Sequence, residues 1–270
     1  MAKTLIFVDL DNIYRGLLQH YGVEMLNQNP NLFDKVRQIE KNKENDILNI
    51  YSYADYSKIG VNTIQQKLQM DGIIPVFVTG AYKDFGRKNA SDIKLVVDVV
   101  DKYYIYKDSV DNFVIVSADS DMTPIIQFLK EKEKNISLYL IDKQANNGFL
   151  EKFLSKDNIF KIEDILSLEI PKELNEDEVK VFLQNTIEYI IQREQYNIKA
   201  NRSRVHQTLD GVKWNQLRYV NINGKRLCEK TFFQIITYGE KAGYFTLQGK
   251  YKEIVLNQNH PDIVKILPNN

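Results

Sequence analysis

The chain has 270 residues, 43% of them apolar, with 36 basic and 36 acidic side chains; that length holds two domains with ordinary cores and needs no disulfide or metal staple. No apolar run approaches the roughly 18 to 20 residues of a membrane span. One cysteine, Cys228, and three scattered histidines, His20, His206 and His260, argue against zinc and thiol chemistry, so any metal would be held by oxygen.

Met1-Ala-Lys-Thr leads directly into the apolar run 5–8, too short for the core of a secretory signal and followed by no small-residue cleavage site, so a cytoplasmic protein is expected. Four more short, β-branched runs follow at 47–53, 73–78, 113–116 and 136–141. They are continuous rather than alternating, which predicts strands buried on both faces of a parallel sheet. Helical spacing over 13–21, 61–70, 93–104, 122–131 and 148–154 supplies the crossovers, and the β-α repeat predicts a three-layer α/β/α sandwich. The Asn- and Lys-rich stretch 27–45 reads as a surface insertion holding a short helix at 32–39.

Pro171 and the acidic run 173–178 mark a boundary, with Asn175 and the acids after it forming a helix start. The expected domains are therefore 1–168, a linker at 169–178, and a smaller domain at 179–270. In the latter, helices are predicted at 179–192, 204–209 and 227–242, the last ended by Gly243, followed by a hairpin of 244–247 and 251–256 around Gln248-Gly249. Helices closed by a terminal hairpin predict a winged-helix-like domain. Residues 1–170 carry 21 basic and 25 acidic side chains and the rest 15 and 11, with 9 basic against 3 acidic residues between Arg193 and Lys230, a modest footprint for a polyanion. On the helix 227–242, Lys225, Arg226, Glu229, Lys230 and Gln234 are candidates for an exposed recognition face, with Phe232, Ile235 and Ile236 as core. Lys250 and Lys252 would sit on the wing. Winged helices also mediate protein contacts, and that alternative stays open.

Two predicted strands finish in acids: the first in Val8-Asp9-Leu10-Asp11-Asn12, the fourth in Val116-Ser117-Ala118-Asp119-Ser120-Asp121. In an open parallel sheet the reactive crevice lies outside the carboxyl ends of the strands, so adjacent strands would bring Asp9 and Asp119 together there. Asp92, opening the helix after strand three in Lys88-Asn89-Ala90-Ser91-Asp92, joins them at the same edge. Crowded carboxylates repel unless a cation sits between them. Oxygen ligands suit Mg²⁺ or Mn²⁺, and such an ion beside a phosphodiester can activate water and stabilise charge on the phosphate. Asn12 would orient a water or phosphate oxygen, and Ser117 and Ser120 would fix carboxylate rotamers. Each of Asp11, Ser91, Asp92 and Ser120 also fits a plain helix N-cap. Asp98, roughly 120° around its helix from Asp92, fits a solvated face, while Arg87 and Lys88 are either phosphate contacts or solvated loop residues.

Taken in order, Val8-Asp9-Leu10-Asp11-Asn12, then Lys88-Asn89-Ala90-Ser91-Asp92-Ile93 with Leu95 and Asp98, then Val116-Ser117-Ala118-Asp119-Ser120-Asp121-Met122 with Pro124 resemble the three motifs of the NYN domain family, of the PIN-like nucleases, over about residues 3 to 165. The resemblance implies a PIN-like, Rossmannoid sheet and Mg²⁺- or Mn²⁺-dependent cleavage of RNA in preference to DNA. Its metal and catalytic set would be Asp9, Asn12, Asp92, Asp119 and Asp121, with Asp98 as a further candidate. Ala118 and Met122 stand where glycine and an aromatic are more usual in the family, a departure that bears on packing. The C-terminal module is faintly similar to LOTUS (OST-HTH) modules. A homodimer is compatible with all of this.

Two other readings compete. An aspartate-nucleophile phosphatase of the haloacid dehalogenase kind also begins with Asp-x-Asp after a first strand, but Asn12-Ile13 follows here in place of that family's Thr or Val, and Asp92 would have no role. A non-catalytic nucleic-acid-binding regulator would keep the fold with an idle pocket.

Overall fold

The computed structural model of the protein describes residues 2–23, 31–56, 62–78, 90–142, 152–169, 173–194, 228–249 and 253–266. The chain divides into two compact units, built mainly from residues 1–169 and from 170–270.

In the first unit, β1 (Ala2–Asp9), β2 (Asn45–Ala54), β3 (Ile74–Phe77), β4 (Asn112–Val116), β5 (Asn135–Leu140) and β6 (Ile159–Lys161) form one sheet in the order β3-β2-β1-β4-β5-β6. Every neighbouring pair is parallel. The connecting helices are α1 (Leu10–Tyr21), α2 (Leu32–Asn42), α3 (Asn62–Met70), α4 (Ala90–Tyr106), α5 (Thr123–Glu131) and the single turn α6 (Ile162–Ile165). The continuous apolar runs are explained by burial on both faces: all of β4, and β1 from Thr4 onward, are buried. Strand order runs outward in both directions from β1, so the winding reverses between β1 and β4, where Val8 stands opposite Val116. A parallel sheet opens a crevice at such a switch point.

The two faces carry different layers. Phe7 stacks between Tyr51 and Phe113, at 5.5 and 6.2 Å between ring centres, on the face covered by α4. The opposite face meets α2, whose Glu40 is fully buried and accepts from Lys43 Nζ at 2.9 Å, Asn45 Nδ2 at 2.7 Å and the Tyr139 hydroxyl at 2.6 Å. Asn112 Nδ2 in turn donates to Asn45 Oδ1 at 2.7 Å. Each carboxylate oxygen of Glu40 therefore has a donor, which is how a charge survives full burial.

In the second unit, α7 (Glu176–Glu194) and α8 (Glu229–Lys241) pack with the antiparallel pair β7 (Phe245–Gln248) and β8 (Glu253–Leu256) and with α9 (Pro261–Ile266). Phe182, Leu183, Ile187, Ile235, Ile236, Phe245 and Ile254 lie at the centre of its core. At the start of α7, Asn175 Oδ1 accepts from Glu178 N at 2.9 Å while Glu178 Oε2 accepts from Asn175 N at 2.8 Å. This reciprocal cap starts the helix at Glu176, inside the stretch 169–178 read as linker. Gly239 lies at a close backbone approach: a Cβ there would stand 2.6 Å from Phe245 Cε1 and 2.7 Å from Leu183 Cδ1.

Strand β6 and helix α9 were not anticipated. The former is three residues long and the latter six, too short for a period to register. The predicted helix at 148–154 lies outside the described residues up to 151, and residues 152–154 form a turn and bend, not a helix. The predicted helix at 204–209 lies wholly outside them.

Candidate metal centre

Asp9 is the last residue of β1 and the N-cap of α1. It is 1% exposed, and its Oδ1 accepts from Asn12 N at 3.2 Å. Its other oxygen, Oδ2, accepts from Ser117 Oγ at 3.0 Å, across the gap between the ends of β1 and β4. Ser117, fully buried, also accepts from Asp119 N at 3.2 Å. Asn12 binds the same two loops from the other side, its Oδ1 accepting from Ala118 N at 3.0 Å. Asp119 caps the following 3-10 turn, Ser120–Met122, accepting from Asp121 N at 2.9 Å. The caps therefore fall on Asp9 and Asp119, while Asp11 and Asp92 lie within the first turns of α1 and α4.

Asp92, in the first turn of α4, completes the group. Its carboxyl shares a hydrogen bond with that of Asp9, and the charges of Asp119, Asp121 and Asp11 all reach it. Burial, then the neighbouring Asp92 charge, push the Asp9 carboxyl from 3.8 up to about 8, against the opposing pull of Asn12 N and Ser117. Asp92 is also raised, first by burial and then by its acidic neighbours, the hydrogen bond with Asp9 opposing. With both carboxyls raised, the two share a proton as a pair. Desolvation and like charge together give this outcome when carboxylates crowd without a cation.

The set offers only oxygen donors, as a hard divalent ion requires, and its held proton marks where positive charge is favoured. Among the described residues, no three His, Cys, Asp or Glu side chains already stand at ion-ligand spacing. An ion held here would take the place of the proton that Asp9 and Asp92 share. Asp9 and Asp92 are the two side chains already in contact to hold it.

Asp11 is occupied elsewhere: its Oδ2 accepts from Asp55 N at 3.1 Å, tying the end of β2 to α1. Asp98 corrects the expectation of a solvated face. Its side chain is 16% exposed, closes on Lys94 Nζ at 2.6 Å, and lies against Tyr53, because α4 crosses both β1 and β2 and its buried arc extends that far. Ser120 is exposed, and only its backbone carbonyl is engaged, accepting from Thr123 Oγ1 at 2.6 Å. Lys88, Arg226, Lys250 and Lys252 lie outside the described residues, as do Arg87 and Asn89. Lys230 lies in α8, but its side chain is outside them too.

Two residues at this edge escaped the sequence reading. Asp55, 8% exposed, follows β2 just as Asp9 and Asp119 follow their strands, so the same terminal-acid pattern was there to be read. Tyr53 stands opposite Asp9 in the sheet register and is fully buried. Burial and the Asp98 carboxylate raise its pKa, yet its hydroxyl makes no hydrogen bond of normal geometry.

The family profile described as NYN domain matches residues 3–158, and no curated protein matches the chain. A solved structure described as a protein of unknown function, VPA0982 from Vibrio parahaemolyticus RIMD 2210633, is similar at 17% identity and a TM-score of 0.48, over 61% of this chain and 95% of that one. No helix among the described residues is long and apolar enough to cross a membrane.

Proposed function

The chain belongs to the NYN domain family, within the PIN-like nuclease superfamily, and from that premise we propose that it is a metal-dependent ribonuclease working at the carboxyl edge of its sheet. The observation that carries this reading is the meeting of Asp9 and Asp92, from β1 and α4, over one proton within reach of the Asp119 and Asp121 charges. Mg²⁺ or Mn²⁺ is the cofactor that fits an all-oxygen set. When bound, the ion supplies a water of lowered pKa and stabilises charge on the scissile phosphate.

The protein's own residues do the rest. Asp9 and Asp92 would hold the ion, with Asp119 and Asp121 as the further acids of the set. Ser117 fixes the Asp9 rotamer, as a hydrogen-bonded partner does for a ligating carboxylate. Asn12 pins the two loops together, which keeps Asp9 and Asp119 in register. Asp11 braces the floor through Asp55, and Asp98, engaged by Lys94, supports α4 from its flank. Lys88, just before α4, would meet substrate phosphate. In the second unit we assign Arg226, Lys230, Lys250 and Lys252 to a winged-helix-like surface that anchors RNA; the basic bias between Arg193 and Lys230 supports it. RNA over DNA, and a cytoplasmic address, extend the resemblance of the motifs.

The deciding experiment incubates labelled single-stranded RNA and DNA with purified protein plus Mn²⁺, Mg²⁺ or chelator, beside Asp9→Asn. Metal-dependent cleavage of RNA that Asp9→Asn lowers by at least about 100-fold is expected. Cleavage that survives chelator, or that the variant retains, would overturn the reading.

A further inference from the structure

Helix α4 carries apolar side chains on two opposite sides. Leu95 and Val99, both fully buried, face the sheet. On the far side Ile93, Val97 and Tyr104 are 62%, 55% and 60% exposed, and Val100 is half-buried. A helix laid on a sheet normally turns a polar face outward, and one apolar on both sides has a second partner. Ile93, Val97, Val100 and Tyr104 succeed one another at spacings of four, three and four, the repeat that sets residues in one straight seam along a neighbouring helix.

The edges of that seam indicate what covers it. One edge carries Lys94 and Asp101, seven residues apart and therefore in line; each has an ion-pair partner on its own helix, Asp98 at 2.6 Å and Lys102 at 3.5 Å, and their side chains stay 46% and 57% exposed, open to a further charge from outside. The other edge carries Val96 and Tyr103 and no charge. In an antiparallel helix pair like edges face each other in reversed order, so Lys94 meets Asp101 of a second copy and Asp101 meets its Lys94, two complementary contacts related by the twofold axis. In a parallel pair the charged edge would face the uncharged one and both contacts would be lost.

We propose that the outer face of α4 is a homodimer interface in which two copies of this chain pack α4 against α4, antiparallel, along Ile93, Val97, Val100 and Tyr104. A 17-residue helix spans only about 25 Å, so the seam falls below the roughly 800 Å² per partner of a standard stable interface. The dimer is therefore weak and depends on concentration. It stands independently of the chemistry at the acid cluster.

The test is light scattering on the full-length chain over a micromolar concentration series. The mass should approach twice the monomer value as concentration rises. Val97→Lys should abolish that rise with its thermal melt unchanged, since the position is exposed, and Ile93→Lys repeats the test at the seam's other end. Lys94→Glu should weaken association by roughly tenfold, about what two lost exposed ion pairs and two new repulsions would cost, and Lys94→Glu with Asp101→Lys should recover most of it. A monomer at every concentration, a dimer indifferent to both lysine substitutions, or a double exchange that fails to recover association would each overturn the proposal.

Discussion

Asp9, at the end of β1, and Asp92, in the first turn of α4, share one proton where two carboxylates would otherwise repel. Since the folded chain keeps this proton up to a pH of about 8 while an unfolded one releases it near 3.8, the metal-free protein binds more protons folded than unfolded between those limits. Stability from this group is present at acid pH and is lost as pH rises through that window.

Ion binding has the opposite dependence, because the proton must leave first. Mn²⁺ affinity is expected to rise by up to about tenfold per pH unit below the Asp9 pKa and to level off above it. Calorimetry in buffers of different ionisation enthalpy would read both the affinity and the released proton. Affinity that stays flat between pH 6 and pH 9 would show that this pair is not the site.

Ser117→Ala removes the donor to Asp9 Oδ2 and the acceptor for Asp119 N together. A loss of roughly 10- to 100-fold in Mn²⁺ affinity or cleavage is expected, the usual effect of deleting a ligand's hydrogen-bonded support. The accompanying loss of stability should be only about 1 kcal/mol. A denaturant titration beside the metal titration separates the two, and equal metal affinity in both proteins would exclude the supporting role.

Much of this edge was legible in the chain itself. Strands buried on both faces must be written as unbroken apolar runs, and an acid directly after such a run has to emerge at the sheet's carboxyl end, so Asp9 and Asp119 could be placed with no coordinates. Asp92 followed from the helix start. Tyr53 could not be read, because it is set by the pairing of β1 with β2, and nothing local to its own strand distinguishes it from Tyr51. Asp98 was misjudged for a related reason: a helical wheel gives the angle between two residues, but not the width of the arc the sheet will cover.

Tyr53→Phe tests the buried hydroxyl directly. A hydroxyl shut away from water without a well-formed hydrogen bond costs on the order of 1 kcal/mol or more, so the phenylalanine should leave stability unchanged or raise it by about that amount. Chemical denaturation at pH 7 gives the answer. A clear destabilisation would mean that the hydroxyl is held by Asp98 in solution.

Gly239→Ala addresses the second unit. The added methyl would meet the rigid Phe245 ring at 2.6 Å, and overpacking of this kind costs roughly 1 to 3 kcal/mol. The unfolding midpoint should fall accordingly, with Mn²⁺ binding in the first unit unaltered. An unchanged midpoint would show that α8 and the hairpin separate at little expense.

The contrast between Glu40 and Asp9 bears on where a cation can lodge. Both acids are sequestered from solvent within the same unit, yet one is saturated by an ammonium, an amide and a phenol, whereas the other competes with a second carboxylate for a single hydrogen. Concealment alone thus creates no appetite for metal. What sets Asp9 apart, with Asn12 N and Ser117 Oγ already on its two oxygens, is a second carboxylate where Glu40 has an ammonium, an excess of negative charge that the fold leaves at one rim of the sheet.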